Sequence, residues 1–381
     1  MDRTSLATLL TSNGQTILAE AMALAPDETT FLACFTKLEK RASRELARTA
    51  VETAMLRRRA TVKFSQALSM YFTREALEQA TSEPVARHRA RRFHGRVLEI
   101  GCGIGGDTLA LAGVASVTAV DLDGLRLDMA RTNVAAYGTT AEFVEGDALT
   151  LAPACDAVFV DPDRRVGGRR QLSVEACEPT LSAVRQHFAG RPLAAKLAPG
   201  VPIHELRTYD GELEFVSLDG ELKECVLWIG SWATARVRAT VLPTGETLAG
   251  DCSTEPPPPD AVGAWLIDPD PAVIRAGLVG DLAARLHAWP LDASVAYLTA
   301  DAWEPTPFAR AWPVRDAMPL HLNTLRDHLR TAGVGRVNVL RRGVPLDPDD
   351  LIRRLKLKGH GVANLVLTPH EGRPWAIICE A

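Results

Sequence analysis

Apolar residues follow two different patterns along the chain, one typical of helices and one typical of strands. Up to residue 93 they recur at helical spacing, for example at Leu38, Leu46, Val51 and Leu56. From residue 94 to 235, short apolar runs alternate with longer amphipathic stretches. The first pattern predicts a helical domain, and the second is typical of βαβ units with a parallel sheet.

The apolar runs predict at least seven strands in the middle of the chain. They begin at residue 97 and continue at 117–122, 141–144, 157–160, 193–197, 215–218 and 225–229. The alternating stretch 236–242, followed by Pro243-Thr244-Gly245, predicts an added hairpin. Four consecutive prolines at 256–259 can join neither a helix nor a central strand, and they predict an extended linker.

Beyond the prolines, the pattern predicts further small α/β structure. A helix is expected over 271–288, and another should begin after Asp347, which is suited to cap a helix with Pro348 at its first position. We expect this second helix to continue to Lys358 and to end at Gly359. Short strands on either side of it complete a small sheet.

The strongest candidate for chemistry is the loop that follows the strand at residue 97. It carries Gly101, Gly103, Gly105 and Gly106 within six positions. Glycines after a strand let the backbone turn sharply and approach a ligand closely. The spacing GxGxxG, followed by Asp121 after the next apolar run, is compatible with a dinucleotide cofactor such as NAD.

Three further acidic positions favour a different nucleotide-type cofactor. Glu99 lies two residues before the first glycine, where its carboxylate can accept from a cationic group or from loop amides. Asp147-Ala148 follows the third strand, and Asp161 follows the fourth. Ligands of open parallel sheets bind beyond the carboxyl ends of the strands, so these loops are expected to converge on one crevice.

This ordered series resembles the class I S-adenosylmethionine-dependent methyltransferases, with a core similar to the trimethylguanosine synthase family. The resemblance implies a Rossmann-like fold and S-adenosyl-L-methionine as cofactor. It assigns Glu99 and Gly101 to the methionine end of the cofactor, Asp121 to the ribose and Asp147-Ala148 to the adenine. The full set of predicted cofactor-binding residues is Glu99, Gly101, Gly103, Gly105, Asp121, Leu122, Asp147 and Ala148.

The predicted catalytic residues are Asp161, Pro162, Asp163 and Arg164. Methyltransferases that act on amino groups use a box in which Asp, Asn or Ser is followed by two prolines and an aromatic residue. Here the first two positions match, whereas Asp163 replaces the second proline and Arg164 replaces the aromatic. An arginine plane can also stack on a base. Lys196 could face the same crevice, but we interpret it as a structural lysine at a strand end.

The ends of the chain complete the predicted architecture. The stretch 73–81 and the ending RLKLKGHGVANLVLT resemble bacterial methyltransferases with a THUMP-like C-terminal domain, which implies RNA as partner. We therefore predict four domains. They are a helical domain (1–93), a Rossmann-like methyltransferase domain (94–253), a small ferredoxin-like α/β domain (260–319) and a THUMP-like domain (320–381).

Charge and composition restrict the possible functions less than the motifs do. The net charge of −4 is unevenly distributed, with an excess of +5 over residues 1–93, −13 over 94–319 and +4 over 320–381. Basic ends suit a polyanion, although ordinary solvated helices would look the same. The basic stretch 41–63 and the arginines of 87–92 could form an RNA-holding module or simply pack.

Membrane, metal and secretory functions are not expected. No segment reaches the ~20 apolar residues that a bilayer span needs. The seven scattered cysteines include no CxxC pair, and the histidines show no metal-ligand spacing, so we expect a cytoplasmic protein without metal. The leading hypothesis is a methyltransferase acting on a base nitrogen in RNA. A small-molecule methyltransferase and a non-catalytic cofactor- or RNA-binding protein remain alternatives.

Overall fold

The computed structural model describes residues 1–151, 153–162, 165–166, 169–170 and 173–381. The chain divides into two compact units. The first contains residues 1–212 and 224–234, and the second contains residues 213–223 and 235–381.

The first unit begins with the predicted helical region. Its helices are α1 (Arg3–Leu10), α2 (Ser12–Ala23), α3 (Phe31–Leu38), α4 (Arg44–Ala60), α5 (Arg74–Gln79) and α6 (Glu83–Ala90). Thr73 caps α5, since its side chain accepts a hydrogen bond from the amide of Ala76.

A mostly parallel sheet follows in the same unit. Its strands are β1 (Arg96–Ile100), β2 (Ser116–Asp121), β3 (Glu142–Glu145), β4 (Ala157–Val160), β7 (Leu193–Leu197) and β9 (Glu221–Ile229), the last from residue 224 onward. Between β4 and β7, β5 (Arg165–Val166) and β6 (Arg169–Arg170) form a separate two-stranded sheet. The strands lie in the order β9-β7-β4-β1-β2-β3, and only the pairing of β7 with β9 is antiparallel. The connecting helices are α7 (Thr108–Leu111), α8 (Gly124–Ala135), α9 (Ala148–Leu151), α10 (Leu181–His187) and α11 (Ile203–Leu206).

The helical region and the sheet share one hydrophobic core. A continuous cluster of buried apolar residues extends from Leu6 in α1 to Val97 in β1 and Trp228 in β9. Phe93, between α6 and β1, packs its ring against Phe159, Trp228 and Trp232. The helices therefore cover the sheet by direct burial of apolar surface.

The second unit contains three paired strands and a seven-stranded sheet. Of the three, β8 (Gly211–Leu218), from residue 213 onward, pairs in parallel with β10 (Val237–Leu242), which forms the predicted hairpin with β11 (Glu246–Gly250). The seven-stranded sheet contains β12 (Trp265–Pro269), β13 (Trp289–Pro290), β14 (Leu298–Ala300), β15 (Ala309–Pro319), β16 (Val334–Arg341), β17 (Gly361–His370) and β18 (Arg373–Glu380). Their order is β13-β14-β12-β15-β18-β17-β16.

Four helices accompany these strands: α12 (Pro271–Ala276), α13 (Val279–Leu286), α14 (Leu322–Thr331) and α15 (Pro348–Leu355). Strand β15 pairs with β12 on one side and with β18 on the other, so the sheet continues through the predicted boundary at residue 320. Independent folding of the four predicted domains stays a prediction.

Two predicted helices have different ends in the structure. The expected helix over 271–288 is two helices, because Gly277 adopts a left-handed conformation (φ +75°) that ends the first. Asp347 caps α15 as predicted, but the predicted end at Lys358 is wrong. The helix stops at Leu355 because Lys356 turns into the left-handed region (φ +47°).

Asn133 joins two parts of the first unit that are far apart in sequence. Its amide oxygen accepts from the backbone N–H of Tyr71 at 2.7 Å, and its Nδ2 donates to the carbonyls of Tyr71 (3.0 Å) and Ile104 (2.9 Å). Asn133 is fully buried. All three bonds thus form away from water, where an unpaired amide or carbonyl is costly.

We expect Asn133→Ala to lower the free energy of unfolding by about 2–4 kcal/mol, because it leaves buried backbone groups of Tyr71 and Ile104 unpaired. Thermal unfolding followed by differential scanning fluorimetry measures the loss. Asn323→Ala, the same change on the exposed side of α14, is the matched control and should change stability little. Equal melting temperatures for the two variants would contradict the structural role of Asn133.

Candidate functional site

The glycine loop after β1 is tight at two positions and open at a third. A Cβ on Gly101 (φ +78°) would lie 2.5 Å from the carbonyl oxygen of Asp161, and one on Gly105 (φ +83°) would lie 3.2 Å from Ala130. A Cβ on Gly103 (φ +53°) would meet no described atom within 4 Å. The loop therefore packs closely against neighbouring residues at Gly101 and Gly105. At Gly103, between them, the open space can hold a ligand.

Asp121, at the end of β2, fixes the conformation of this loop. Its carboxylate accepts from the backbone amides of Gly103 (2.8 Å) and Asp123 (2.9 Å). The next residue, Leu122, is 72% exposed. An apolar surface beside a carboxylate at the strand end can receive a nucleoside.

Asp147 and Ala148 lie at the corresponding end of β3. Asp147 accepts from the backbone amide of Leu149 (2.9 Å) and from the hydroxyl of Thr150 (3.1 Å), so its carboxylate caps α9. Ala148 is buried. Because β1, β2, β3 and β4 are parallel, the structure brings the loops of Gly103, Asp121, Asp147 and Asp161 to one edge of the sheet.

Asp161 is the first residue after β4, and its amide donates to the carbonyl of Ile100 at 3.0 Å. Its carboxylate is one-quarter exposed and forms an ion pair with the ammonium of Lys196, in β7. Pro162 is buried beside it. The other two predicted catalytic residues, Asp163 and Arg164, lie outside the described residues.

Asp107 is the centre of a buried ion-pair cluster directly behind the glycine loop. Its carboxylate contacts the guanidinium of Arg89, lies 3.4 Å from Nζ of Lys196 and accepts from the hydroxyl of Thr81 at 2.9 Å. Arg89 in turn forms an ion pair with Glu224 of β9 and lies over the ring of Phe159. Lys196 therefore connects Asp107, behind the glycine loop, to Asp161.

Burial and charge shift the pKa values of this cluster in different directions. Burial raises the pKa of Glu99 to about 8, and the nearby carboxylate of Asp107 adds to the effect. Although burial opposes ionisation of Asp107, Arg89 and Lys196 keep its pKa below the usual value. Burial likewise favours a neutral Lys196, but Asp161 and Asp107 raise the pKa of its ammonium. Lys196 thus stays protonated.

Glu99 also has an unused hydrogen-bonding atom. The residue is 1% exposed, and its Oε2 has no hydrogen-bond partner within the part of the chain that the structure describes. A buried oxygen without a partner costs free energy, and a bound donor would remove this cost. A cationic group of a ligand is the donor that would interact most strongly with a carboxylate.

The sequence prediction missed Arg89, Asp107 and Glu224, and it undervalued Lys196. Charged residues within otherwise apolar strands, such as Lys196 in LAAKL, were the available signal. Among the arginines of 87–92, which the sequence offers as a candidate RNA-holding module, Arg89 is buried and Arg92 pairs with Glu212 while stacking on Trp228. In the basic stretch 41–63, Arg57 is also buried and donates to the carbonyl of Met70.

Neither a membrane span nor a metal site is found among the residues described. Over those residues, no helix combines the length and apolar character needed to cross a membrane. The same residues contain no group of three or more His, Cys, Asp or Glu side chains able to hold a metal ion.

Three family models match separate parts of the chain. A methyltransferase domain matches residues 97–161, which contain the glycine loop and Asp161. A THUMP domain-like family matches residues 309–381. Residues 2–60 match a domain of unknown function.

A crystal structure of a candidate methyltransferase from Porphyromonas gingivalis W83 is similar over 93% of this chain and 98% of that one, with a TM-score of 0.75. At 22% identity this likeness shows the fold, and it confirms the predicted fold class of a Rossmann-like core with a helical region before it and small α/β structure after it.

Two curated relatives show which family the chain belongs to. They are uncharacterized S-adenosylmethionine-dependent methyltransferases from the CDC 1551 / Oshkosh and H37Rv strains of Mycobacterium tuberculosis. Each is 39% identical over 335 residues, which cover 84% of this chain and 91% of the relative. The chain therefore belongs to the S-adenosylmethionine-dependent methyltransferases, and S-adenosylmethionine is its cofactor.

Proposed function

We propose that this methyltransferase modifies a nitrogen atom of an RNA base and that Asp161 accepts a hydrogen bond from the acceptor amine. One observation carries the proposal. Asp161 lies at the carboxyl end of β4, beside the glycine loop, with part of its carboxylate exposed and one oxygen bound by Lys196. The second oxygen is then available to an incoming N–H donor.

In this proposal Lys196 is a positioning residue. Its raised pKa keeps it a cation, so it does not take a proton from the acceptor. It holds one oxygen of Asp161 and thereby fixes the direction of the other, which lowers the cost of ordering the acceptor. Its second contact, to Asp107, links the acceptor position to the cofactor loop.

The predicted cofactor residues fit the cofactor on three observations: the open space at Gly103, the unpartnered Oε2 of Glu99 and the exposed Leu122. When bound, S-adenosylmethionine supplies the methyl group from its sulfonium. We assign Glu99 and the loop of Gly101, Gly103 and Gly105 to its amino-acid end.

The remaining assignments concern the nucleoside. We assign Asp121 to the ribose, and Leu122, Asp147 and Ala148 to the adenine. The carboxylates of Asp121 and Asp147 already accept hydrogen bonds from the protein. Each carboxylate oxygen has two lone pairs, so both side chains can keep these bonds and accept another donor.

RNA as the substrate class rests on the second unit. Residues 309–381 match a THUMP domain-like family, and domains of the THUMP type serve RNA-modifying enzymes. The +4 charge excess over residues 320–381 agrees with a polyanionic partner. The alternative methyl acceptor is a small molecule, and a labelling experiment distinguishes it from RNA.

The direct test incubates the protein with methyl-labelled S-adenosylmethionine and total RNA or a metabolite extract. We expect label in RNA, and mass spectrometry of its nucleosides should place the methyl group on a base nitrogen. Label only in the metabolite extract would show that the methyl acceptor is a small molecule and not RNA. No transfer by a protein that binds S-adenosylhomocysteine would contradict both.

We expect Asp161→Ala to reduce methyl transfer at least 100-fold, since it removes the proposed hydrogen-bond acceptor from the reacting amine. Affinity for S-adenosylhomocysteine, measured by calorimetry, should change no more than a few-fold. The matched control is Asp156→Ala, which removes an exposed carboxylate just before the same strand, where it pairs with Arg96. Similar rates for both variants would exclude Asp161 from the reaction.

Lys196→Met should lower the free energy of unfolding by about 3 kcal/mol near pH 8, because Asp107 and Asp161 lose a buried cation. Lys196 helps to lower the pKa of Asp107. In the wild type this gives stability above the unfolded pKa of an aspartate, and the stability is lost as the pH falls. The penalty of the variant should therefore shrink toward about pH 4, where the unpaired carboxylate takes up a proton.

Thermal unfolding across this pH range measures the effect. Lys223→Met, which removes a partly exposed lysine paired with Glu221, is the control and should cost little at either pH. A penalty for Lys196→Met that stays constant with pH would show that Lys196 contributes by packing rather than by charge.

A further inference from the structure

A cluster of cations lies where the C-terminal ends of α14 and α15 meet in the second unit. We call it the basic face, and it consists of Arg326, Arg330, Arg353, Arg354, Lys356 and Lys358. The two helices pack side by side on one face of the sheet through the buried Leu325, Leu329, Leu351 and Leu355. This packing leaves the charged side chains exposed, except that of Arg326, which is half-buried.

Two arginines of α14 are anchored to the end of α15. Arg326 donates to the carbonyl of Arg354 at 3.1 Å, and Arg330 donates to the carbonyl of Lys356 at 2.9 Å. These bonds satisfy carbonyls that a helix end leaves unpaired. Arg326 is half-buried, with its Nε buried and its Nη1 donating to Asn323 at 3.3 Å, whereas Arg330 is exposed. A guanidinium has five N–H donors, so Arg330 keeps donors for a ligand while its position is already fixed.

Lys356 and Lys358 extend the basic face beyond the helix. Lys356 occupies the left-handed position that ends α15, where glycine is usually favoured. The following backbone is held against the start of β16, because the amides of His360 and Gly361 both donate to the carbonyl of Gly333. Both lysines are exposed, and neither has an ion-pair partner among the residues that the structure describes.

The acidic residues of α15 lie at its other end. Asp347 caps the helix, and Asp349 and Asp350 are in its first turn. Asp350 forms exposed ion pairs with Arg353 and Arg354, which are worth little in water. The charges of this helix are therefore separated along its axis, and the cations accumulate at the C-terminal end.

We propose that the basic face binds the sugar-phosphate backbone of RNA. The inference rests on the proposed function, since it assigns a contact surface to the same substrate class. Arginine forks and lysines are the side chains that bind phosphate oxygens. A protein partner would instead be expected to bury an apolar or aromatic centre, whereas the exposed apolar contribution of α15 is a single side chain, Ile352.

The test measures binding of the full-length protein to a fluorescent single-stranded RNA of about 20 nucleotides by fluorescence anisotropy. The variant is K356A/K358A, because neither lysine is used inside the fold. The control is R315A/R373A, which removes two exposed cations of the same unit that pair with Glu380 and Glu371. Melting temperature and S-adenosylhomocysteine affinity are measured for every protein.

Each phosphate contact with single-stranded nucleic acid contributes about 0.7 to the slope of log K against log salt concentration. K356A/K358A should therefore reduce the slope by about 1.4 and weaken binding about 25-fold near 0.1 M salt. The control should bind as the wild type does. Wild-type affinity for K356A/K358A, an equal loss in the control, or stronger competition by polyglutamate than by RNA would overturn the proposal.

This experiment separates the basic face from the proposed reaction. If no label enters RNA but binding still depends on Lys356 and Lys358, the proposed function fails and the RNA surface stands. If RNA is methylated but both lysines are dispensable for binding, the surface is wrong and the proposed function stands.

Discussion

The buried carboxylate of Asp107 is the constraint on which the site depends. It lies directly after the glycine loop and contacts Arg89 from the helical region and Lys196 from β7, while Thr81 donates to it. Removing one partner of a buried ion pair leaves an uncompensated charge, typically at a cost of about 3–5 kcal/mol. Loop, helices and strand are therefore fixed together. The helical region is thus part of the support of the glycine loop.

The same cluster explains why the pKa of Glu99 is raised while that of the neighbouring Asp107 is lowered. Three buried carboxyl groups (Glu99, Asp107 and Glu224) and the partly exposed Asp161 lie around two buried basic side chains, Arg89 and Lys196. Arg89 and Lys196 contact the other three carboxylates, whereas Oε2 of Glu99 has no partner among the described residues. The raised pKa of Glu99 follows from that burial. A cationic ligand at this carboxyl group would favour its ionised form.

Features that depend on neighbouring residues could be predicted from the sequence, whereas contacts between distant residues could not. The strand at 193–197, the cap Asp347 and the cofactor are confirmed because backbone geometry and a motif determine them locally. The ion pairs of Arg89 with Asp107 and Glu224 join residues far apart in sequence. The sequence does not distinguish Lys196 from an ordinary strand-end lysine, because its contact with Asp161 depends on the pairing of β7 with β4. The end of α15 was missed because Lys356 adopts a backbone conformation that glycine usually supplies.

The most direct test of the buried-charge account is an NMR titration of the side-chain carboxyl carbons, with Glu99 assigned by its loss in Glu99→Gln. We predict that Glu99 titrates with a pKa of about 8, while the pKa of Asp107 lies below the usual value for an aspartate. A raised pKa means that Glu99 costs stability as the pH rises toward 8, so Glu99→Gln should also remove that loss. Titration of Glu99 near its ordinary value of 4.5 would contradict the account.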